Sequence, residues 1–233
     1  MDKSKFLVIL GTAHLGWTAG KRSPDGKFRE PVYSREVCQG IKDTLLPMGY
    51  NVVIDWEPLD GKPQWKSSSQ DTMQSRELTG RVAIVNELCK KWGANNVLYL
   101  PIHNDAAAGT GWANAGGFTA YTTRGTTKAD ILAECLYDAA ERHMKGYVTY
   151  MEAGKKKGLY GSIQKPFRVD KVDGDRDKEA NFFVLRKSNC PAVLTENLYQ
   201  NNKADVEFLT SEAGKRAIIN LHVEGIINYI NKL

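Results

Sequence analysis

Cysteine is scarce in this sequence, and its few copies lie far apart. The four cysteines are Cys38, Cys89, Cys135 and Cys190, and no two of them form a CxxC pair. The sequence therefore predicts neither a zinc knuckle nor a disulfide scaffold. At least two of the four fall inside helical patterns, which is typical of small core residues in a reducing compartment.

Long hydrophobic runs are also missing. The first apolar run, residues 6–10, ends at Gly11 and is too short for the apolar core of a secretory signal. No later segment is long enough to cross a bilayer. We therefore expect no membrane insertion and no export signal within this chain.

Charge of one sign is not concentrated in any part of the chain. The formal net charge is +5, and the densest basic cluster, residues 155–157, stands between two glycines with few aromatics nearby. A solvated loop explains that cluster better than a nucleic-acid footprint, so no nucleic-acid partner is expected, although a weakly basic surface suits a polyanionic substrate. With 233 residues, 42% of them apolar, the chain fits one domain over 1–233 with a sizeable core.

What the sequence does contain is an alternation of short apolar runs with helical periodicities. Apolar residues recur at helical spacing around 37–45, 82–89, 131–136 and 214–230. The strand candidates are 6–10, 51–56, 97–102, 117–122, 182–185 and 192–195. This order predicts an α/β fold of three layers, α/β/α, with a twisted, mostly parallel sheet of about six strands. Ligands of such sheets bind beyond the C-terminal ends of the strands.

Two stretches interrupt the alternation. Residues 57–75 are polar and turn-rich, which predicts a surface loop. Residues 145–178 are rich in Gly, Lys and Asp around Tyr147, Tyr160 and Phe167, and they are long for a loop, so they are either functional or partly mobile. The aromatic residues could line a substrate groove or belong to a structural flap.

The four histidines divide into two pairs. His143 ends a charged helix, where a cation is favourable, and His222 lies on the apolar stripe of the last helix, so both are interpreted as structural. His14 and His103 each follow a buried strand. One such histidine is usually a turn residue, but two at equivalent ends of a parallel sheet would face the same crevice.

A carboxylate follows a third strand candidate, because the run Pro-Ala-Val-Leu-Thr ends at Glu196. Poor solvation there would raise the pKa of this glutamate toward the range useful for a general base. Two histidines and a carboxylate are common ligands of catalytic zinc, and a separate carboxylate accepts the proton of the metal-bound water. The third ligand is either Glu30 or Glu36; Glu30 is favoured because it lies in the loop before the 37–45 helix.

The motifs, taken in order along the chain, resemble those of the zinc-dependent N-acetylmuramoyl-L-alanine amidases of the amidase-3 type. That family has Gly-His-Gly after its first strand, a glutamate before a helix, an R-x-x-x-x-N helix, S-I-H-x-N-A at a strand end, a glycine-led strand, V-L-R, and P-A-V-L-x-E-x-x-F-x-x-N. The corresponding segments here are Ala13-His14-Leu15, 30–34, 81–86, 101–106, 116–118, 184–186 and 191–201.

This resemblance covers nearly the whole chain and implies one Zn²⁺ held by His14, Glu30 and His103, with Glu196 as the catalytic carboxylate. It also implies hydrolysis of the amide between N-acetylmuramic acid and L-alanine in bacterial peptidoglycan, as in phage endolysins and wall-remodelling enzymes. Ala13 and Leu15 replace the two family glycines, and Leu15 is expected to narrow the space beside the metal. Compared with the family pattern, residues 145–178 are expected to be an insertion in the domain.

Two other functions remain open at this point. The same ligands would serve a zinc peptidase or carboxypeptidase on another peptide, and the scaffold could also be a non-catalytic wall-binding module. A phage-type enzyme without an export signal is expected to stay in the cytoplasm until it is released to the wall, whereas a chain trimmed of its signal would be exported. The oligomeric state is not predicted.

Overall fold

The computed structural model describes residues 2–16, 18–56 and 70–233. Most of the surface loop predicted at 57–75 lies outside these residues, and its last part, from Gln70, belongs to a helix. The helices are α1 (Glu30–Leu45), α2 (Gln70–Trp92), α3 (Lys128–His143), α4 (Lys145–Lys155), α5 (Phe183–Lys187), α6 (Lys203–Thr210) and α7 (Glu212–Lys232). The strands are β1 (Leu7–Thr12), β2 (Asn51–Ile54), β3 (Val97–Asp105), β4 (Thr119–Thr122), β5 (Lys178–Glu179) and β6 (Leu194–Tyr199).

The strands form one six-stranded sheet in the order β2-β1-β3-β6-β4-β5. All neighbours in it run parallel except β4 and β6, which are antiparallel. The last strand in the sequence, β6, lies between β3 and β4, so the end of the chain returns to the middle of the sheet. The predicted α/β architecture with a mostly parallel sheet of about six strands is confirmed.

Alternate residues of the central strands pack into two separate cores, one on each face of the sheet. Val8 and Leu10 of β1 join a large core with α1, α3 and α7. Leu7 and Ile9 of the same strand join a smaller core with α2 and α5. Because side chains alternate along a strand, a continuous apolar run such as β1 is what a sheet covered on both faces requires.

One strand candidate is wrong. Phe182 is the N-cap of the short helix α5, residues 183–185 are its first residues, and the helix packs against α2. An apolar run of four residues has the same composition in a buried strand and in a buried helical turn, so periodicity cannot separate the two. The sixth strand is instead β5, whose two residues are both charged and give no strand signal.

Residues 145–178 pack against the body of the domain. The first eleven residues form α4, and the hydroxyls of the buried Tyr147 and Tyr160 both donate to Asp205 at 2.7 Å. Phe167 bridges to Phe118 beside β4. Tyr147 and Tyr160 therefore belong to the core and the partly buried Phe167 packs against it, which favours a structural role for this segment over the lining of a groove. The description of this segment as an insertion stays a prediction.

The expectation that no segment inserts into a membrane can be compared only with the helices that the structure describes. Within residues 2–16, 18–56 and 70–233, no helix combines the length and the apolarity needed to cross a membrane.

Candidate metal centre and active-site pocket

The central strands carry the predicted site residues to the same edge of the sheet. His14 follows the end of β1 by two residues, whereas His103 lies within β3, which continues to Asp105 instead of ending at residue 102. Glu196 lies within β6, directly opposite His103 in the strand register. The two histidine rings are 4.9 Å apart between centroids and edge to face.

Glu30 reaches this edge from α1 and not from a loop, as the sequence had suggested. It is the first residue of the helix, and Pro31 follows it; proline and an acidic residue are both favoured in a first helical turn. Glu30 Oε1 lies 3.0 Å from His103 Nδ1 and 3.4 Å from His14 Nε2. The alternative ligand, Glu36, lies one and a half turns further along α1 and forms an ion pair with Lys215 on α7.

The carboxylate of Glu30 is fixed by two further contacts. The backbone N–H of Asn104 donates to Oε1 at 3.2 Å, and the Gln200 side-chain amide donates to Oε2 at 3.3 Å. Burial favours the neutral acid, but His14 and His103 together bring the pKa of Glu30 well below its usual range. Burial also lowers the pKa of His103. A charged carboxylate beside a neutral imidazole is the protonation state that metal ligation needs.

This group of ligand atoms fits a zinc ion. One ligand atom from each of His14, Glu30 and His103 lies within 4.8 Å of the other two. Around a tetrahedral zinc with bonds of about 2.0–2.1 Å, ligand atoms stand about 3.3 Å apart. The observed separations of 3.0 and 3.4 Å are close to that value.

His14 is held in a left-handed backbone conformation. In the described ranges, it and Leu198 are the only non-glycine residues with positive φ, at 51° and 63°. The carbonyl of His14 accepts hydrogen bonds from Arg35 at 3.0 Å and from Arg81 at 3.3 Å. These two guanidinium groups stabilise a conformation that a non-glycine residue seldom adopts.

The two residues that replace family glycines do not adopt that conformation themselves. Ala13 and Leu15 are both fully buried, and neither is among the residues that line the pocket described below. The expectation that Leu15 narrows the space beside the metal stays a prediction, since Leu15 is buried but does not line the pocket.

Arg81 belongs to a largely buried network that lines part of the pocket. Its guanidinium forms ion pairs with Asp55 at 2.7 Å and with Glu77 at 3.0 Å, and it donates to Thr12 Oγ1 at 3.0 Å. The Tyr99 hydroxyl donates to the second oxygen of Asp55 at 2.7 Å. A buried charge is tolerated when its partners are hydrogen-bonded in this way, and the network ties α2 to the end of β1.

Glu196 has an unusual environment for a carboxylate. Its Oε2 is buried and has no hydrogen-bond partner among the described residues. Burial, then the negative charges of Asp105 and Glu30, raise the pKa of Glu196 well above its ordinary value, while Arg168 acts in the opposite direction. The raised pKa expected from the sequence is thus present in the structure.

Arg168 and Asp105 form an ion pair beside Glu196. The guanidinium lies 2.9 Å from the Asp105 carboxylate, donates to the Tyr199 hydroxyl at 2.8 Å and stacks over the Tyr199 ring. Asp105 follows His103 by two residues on β3, so the period of the strand places it next to the site. Arg168 belongs to the 145–178 segment, and no feature of the sequence predicted that it would lie beside Asp105.

A bulge in β6 accompanies this arrangement. The pairing of β3 and β6 shifts register after His103, so that Asp105 pairs with Tyr199, and Leu198 at the shift has positive φ. Bulges redirect side chains and occur often beside active sites. Gln200 follows the bulge, and its contact with Glu30 was not expected from the sequence although it stands four residues after Glu196.

A pocket of about 340 Å³ opens at this edge of the sheet. Its polar lining includes His14, Glu30, His103 and Glu196. Its apolar wall is formed by Phe182, Phe183, Val184 and Leu194. The four residues that the sequence singled out therefore share one pocket.

The other two histidines have the structural environments predicted for them. His143 lies 2.5 Å from Glu224, and His222 is fully buried, with ring nitrogens 2.9 Å from Thr195 Oγ1 and 2.7 Å from the Ile218 carbonyl.

Two imidazoles and a carboxylate converge at the ends of the central strands of this α/β sheet, where ligands of such sheets bind, and they form a donor set that could hold a metal ion. The chain belongs to the N-acetylmuramoyl-L-alanine amidase family Amidase_3, whose sequence profile matches residues 8–228.

Similar proteins agree with this assignment. The chain is 30% identical over 168 residues to the N-acetylmuramoyl-L-alanine amidase CwlM of Bacillus licheniformis, covering 70% of this chain and 50% of that protein. It is 30% identical over 90 residues to the endolysin of Bacillus phage SPP1, covering 39% of this chain and 33% of that protein. The solved structure of the amidase Ami1 from Mycobacterium smegmatis superposes with a TM-score of 0.71 at 13% identity, covering 100% of both chains; this likeness concerns the fold.

The chain is shorter than the curated relatives that it matches. It covers between 33% and 58% of their lengths.

Proposed function

We propose that this chain is a zinc-dependent amidase that hydrolyses the bond between N-acetylmuramic acid and L-alanine in peptidoglycan. The observation that carries the proposal is one pocket in which His14, Glu30 and His103 can meet a single ion beside the unpartnered carboxylate oxygen of Glu196. The bond and the substrate are those named for the family and for CwlM.

In this proposal His14, Glu30 and His103 hold the zinc ion. When bound, zinc supplies Lewis acidity and lowers the pKa of its water toward neutrality. The contacts of Asn104 and Gln200 with Glu30 orient the carboxylate ligand, as outer partners of metal ligands commonly do.

Glu196 is the proposed general base and general acid. Its free oxygen can accept a proton from the attacking water, and the carboxylic acid so formed can return that proton to the departing amine of L-alanine. A raised pKa suits both steps, because the group must take a proton and then release it near neutral pH. Asp105 and Arg168 set the charge around Glu196 without occupying its free oxygen.

The experiment is digestion of purified peptidoglycan by the zinc-loaded chain. We expect new N-terminal alanine without new reducing sugar ends, and we expect a chelator to stop the reaction until zinc is restored. Cleavage at another amide would support the peptidase alternative, and wall binding with neither zinc nor cleavage would support the non-catalytic alternative. Either result contradicts the proposal.

The matched pair Glu30→Gln and Glu36→Gln separates loss of a ligand from loss of a helix charge. Both glutamates lie on α1, but only Glu30 faces the histidines. Glu30→Gln should bind zinc weakly and lose cleavage, whereas Glu36→Gln should keep both. Equal zinc content and activity in the two variants would remove Glu30 from the metal centre.

A further inference from the structure

A second group of carboxylates lies away from the pocket. Asp130, Asp175 and Asp177 each place one oxygen within 4.8 Å of the other two. Asp130 is in the first turn of α3, and Asp177 directly precedes β5. Thr122, at the far end of β4, donates to Asp177 Oδ2. Because Thr119 of the same strand pairs with Glu196, the cluster is about 10 Å along β4 from the catalytic edge.

One member of this cluster is buried with an unused oxygen. Asp177 is only 2% exposed, and its Oδ1 has no donor in the described part of the chain. An oxygen of Asp175 is likewise enclosed and without a donor there. A buried, unpartnered carboxylate oxygen is costly unless a proton or a cation satisfies it, so this pair requires one or the other.

The surrounding charges do not neutralise the cluster. Asp173, Asp130 and Glu134 all act on Asp175 as negative neighbours. The guanidinium of Arg176, between Asp175 and Asp177 in the sequence, is engaged in ion pairs with acidic residues of α3. These are Glu134, Asp138 and Glu141.

The composition and size of the cluster favour one class of cation. Its ligand atoms are all oxygens, which hard divalent cations prefer and which differ from the nitrogen-rich donors at the pocket. The three oxygens lie within 4.8 Å of one another, so one calcium ion with bonds of about 2.4 Å can reach all of them.

We propose that Asp130, Asp175 and Asp177 form a structural calcium site, separate from the metal centre in the pocket. The ion joins the first turn of α3 to the loop before β5, and the remaining coordination positions are filled by water. It fixes residues 170–179, a segment that begins just after Arg168 and ends just before the apolar wall of the pocket. Bound calcium therefore stabilises the fold without taking part in the reaction.

The test measures Ca²⁺ binding and thermal unfolding on the full chain with zinc already bound. We expect a one-to-one titration of Ca²⁺ in calorimetry, and saturating Ca²⁺ should raise the melting temperature by roughly 5 °C. Mg²⁺ at the same concentration should give a much smaller shift, because it requires a smaller and more regular site. The absence of Ca²⁺ binding, or tighter binding of Mg²⁺, would overturn the proposal.

Two variants in the same loop make the test specific. Asp177→Asn should weaken Ca²⁺ affinity at least about tenfold, yet melt no lower than the wild-type chain without Ca²⁺, because it removes a repulsive charge. Asp173→Asn removes an equal charge from an exposed side chain outside the cluster and should change the affinity much less.

Three other results would also contradict the proposed calcium site. If Asp175 and Asp177 share a proton instead of a cation, neither variant will alter a response to Ca²⁺, because the wild-type chain will show none. If Asp173→Asn weakens binding as much as Asp177→Asn, the attraction is diffuse and the site is not built by these three residues. If Asp177→Asn lowers the melting temperature without Ca²⁺, the carboxylate has a purely structural hydrogen-bonding role.

Discussion

Two groups of ionisable side chains, at opposite ends of β4, differ in how their charge is compensated. At the pocket, an amide and a backbone N–H contact Glu30, and against the opposing effect of burial His14 and His103 lower its pKa. At the aspartate cluster, burial and neighbouring carboxylates raise the pKa of Asp177 to about 7. The comparison shows that proximity of carboxylates is not enough to define a site: the donors around them determine which ion each group can hold.

The largest effect is expected when a proposed histidine ligand at the pocket is removed. His103→Ala should abolish amidase activity and zinc binding together, because two ligands are too few to retain a catalytic ion. Zinc content and peptidoglycan cleavage are measured on the same sample. His143→Ala is the matched control, since His143 pairs with Glu224 away from the pocket, and it should retain both. Zinc retained by His103→Ala would refute the assignment.

Removal of the proposed base should separate chemistry from metal binding. Glu196→Gln keeps the shape of the side chain but cannot accept a proton, so the turnover rate should fall by about 10²–10⁴-fold. Zinc content should stay at the wild-type level. A variant that loses zinc as well, or that cleaves at an undiminished rate, would show that Glu196 has a different role.

The pair Asp105–Arg168 should shift the pH dependence of cleavage in opposite directions when its members are removed separately. Asp105 raises the pKa of Glu196 and Arg168 lowers it. Arg168→Met should therefore move the acidic limb of the kcat/KM profile to higher pH, and Asp105→Asn should move it to lower pH. Each of the two single substitutions should lower kcat/KM only severalfold.

The double variant is the control for this pair. Because it removes both opposing charges, its acidic limb should return toward that of the wild-type chain. Shifts of the same sign in the two single variants would mean that the residues act through local packing and not through charge.

The smallest effect concerns stability at the aspartate cluster in the absence of calcium. The folded-state pKa of Asp177, about 7, exceeds its ordinary value of 3.8, so the folded chain keeps a proton that the unfolded chain loses. The free energy of unfolding should therefore decrease as pH rises from about 4 to about 7. Urea unfolding at pH 5 and pH 8 measures this decrease in the free energy of unfolding. The decrease should be smaller by at least about 1 kcal/mol in Asp177→Asn than in the wild-type chain. An identical decrease in both chains would contradict this origin.

Much of the fold could be predicted because burial on both faces gives strands such as β1 a continuous apolar signature. The same reasoning failed for residues 182–185, which form a helical turn, and it missed β5, whose two charged residues pair only because β4 is beside them. In the helical pattern predicted for residues 131–136, Ile131 is 42% exposed, whereas Leu132, Cys135 and Leu136 are buried.

The candidate site was predictable to the extent that its residues stand at strand ends or beside recognisable motifs. His14, His103, Glu196 and Glu30 all meet that condition, and the structure places them together. Their roles as ligands and base, the domain limits 1–233 and the expected route from the cytoplasm to the wall stay predictions. Gln200 and Arg168 were missed because each acts on a partner that is distant in the sequence.

The sequence by itself determined which functional groups lie at the end of each central strand, because spacing along a strand or helix is a local property of the chain. Only the tertiary structure decided which of these groups meet. The insertion of β6 between β3 and β4 brings Glu196 opposite His103. The return of residues 145–178 to the sheet brings Arg168 to Asp105, and Asp177 to Asp130. Such contacts depend on strand order and packing, which no local pattern specifies.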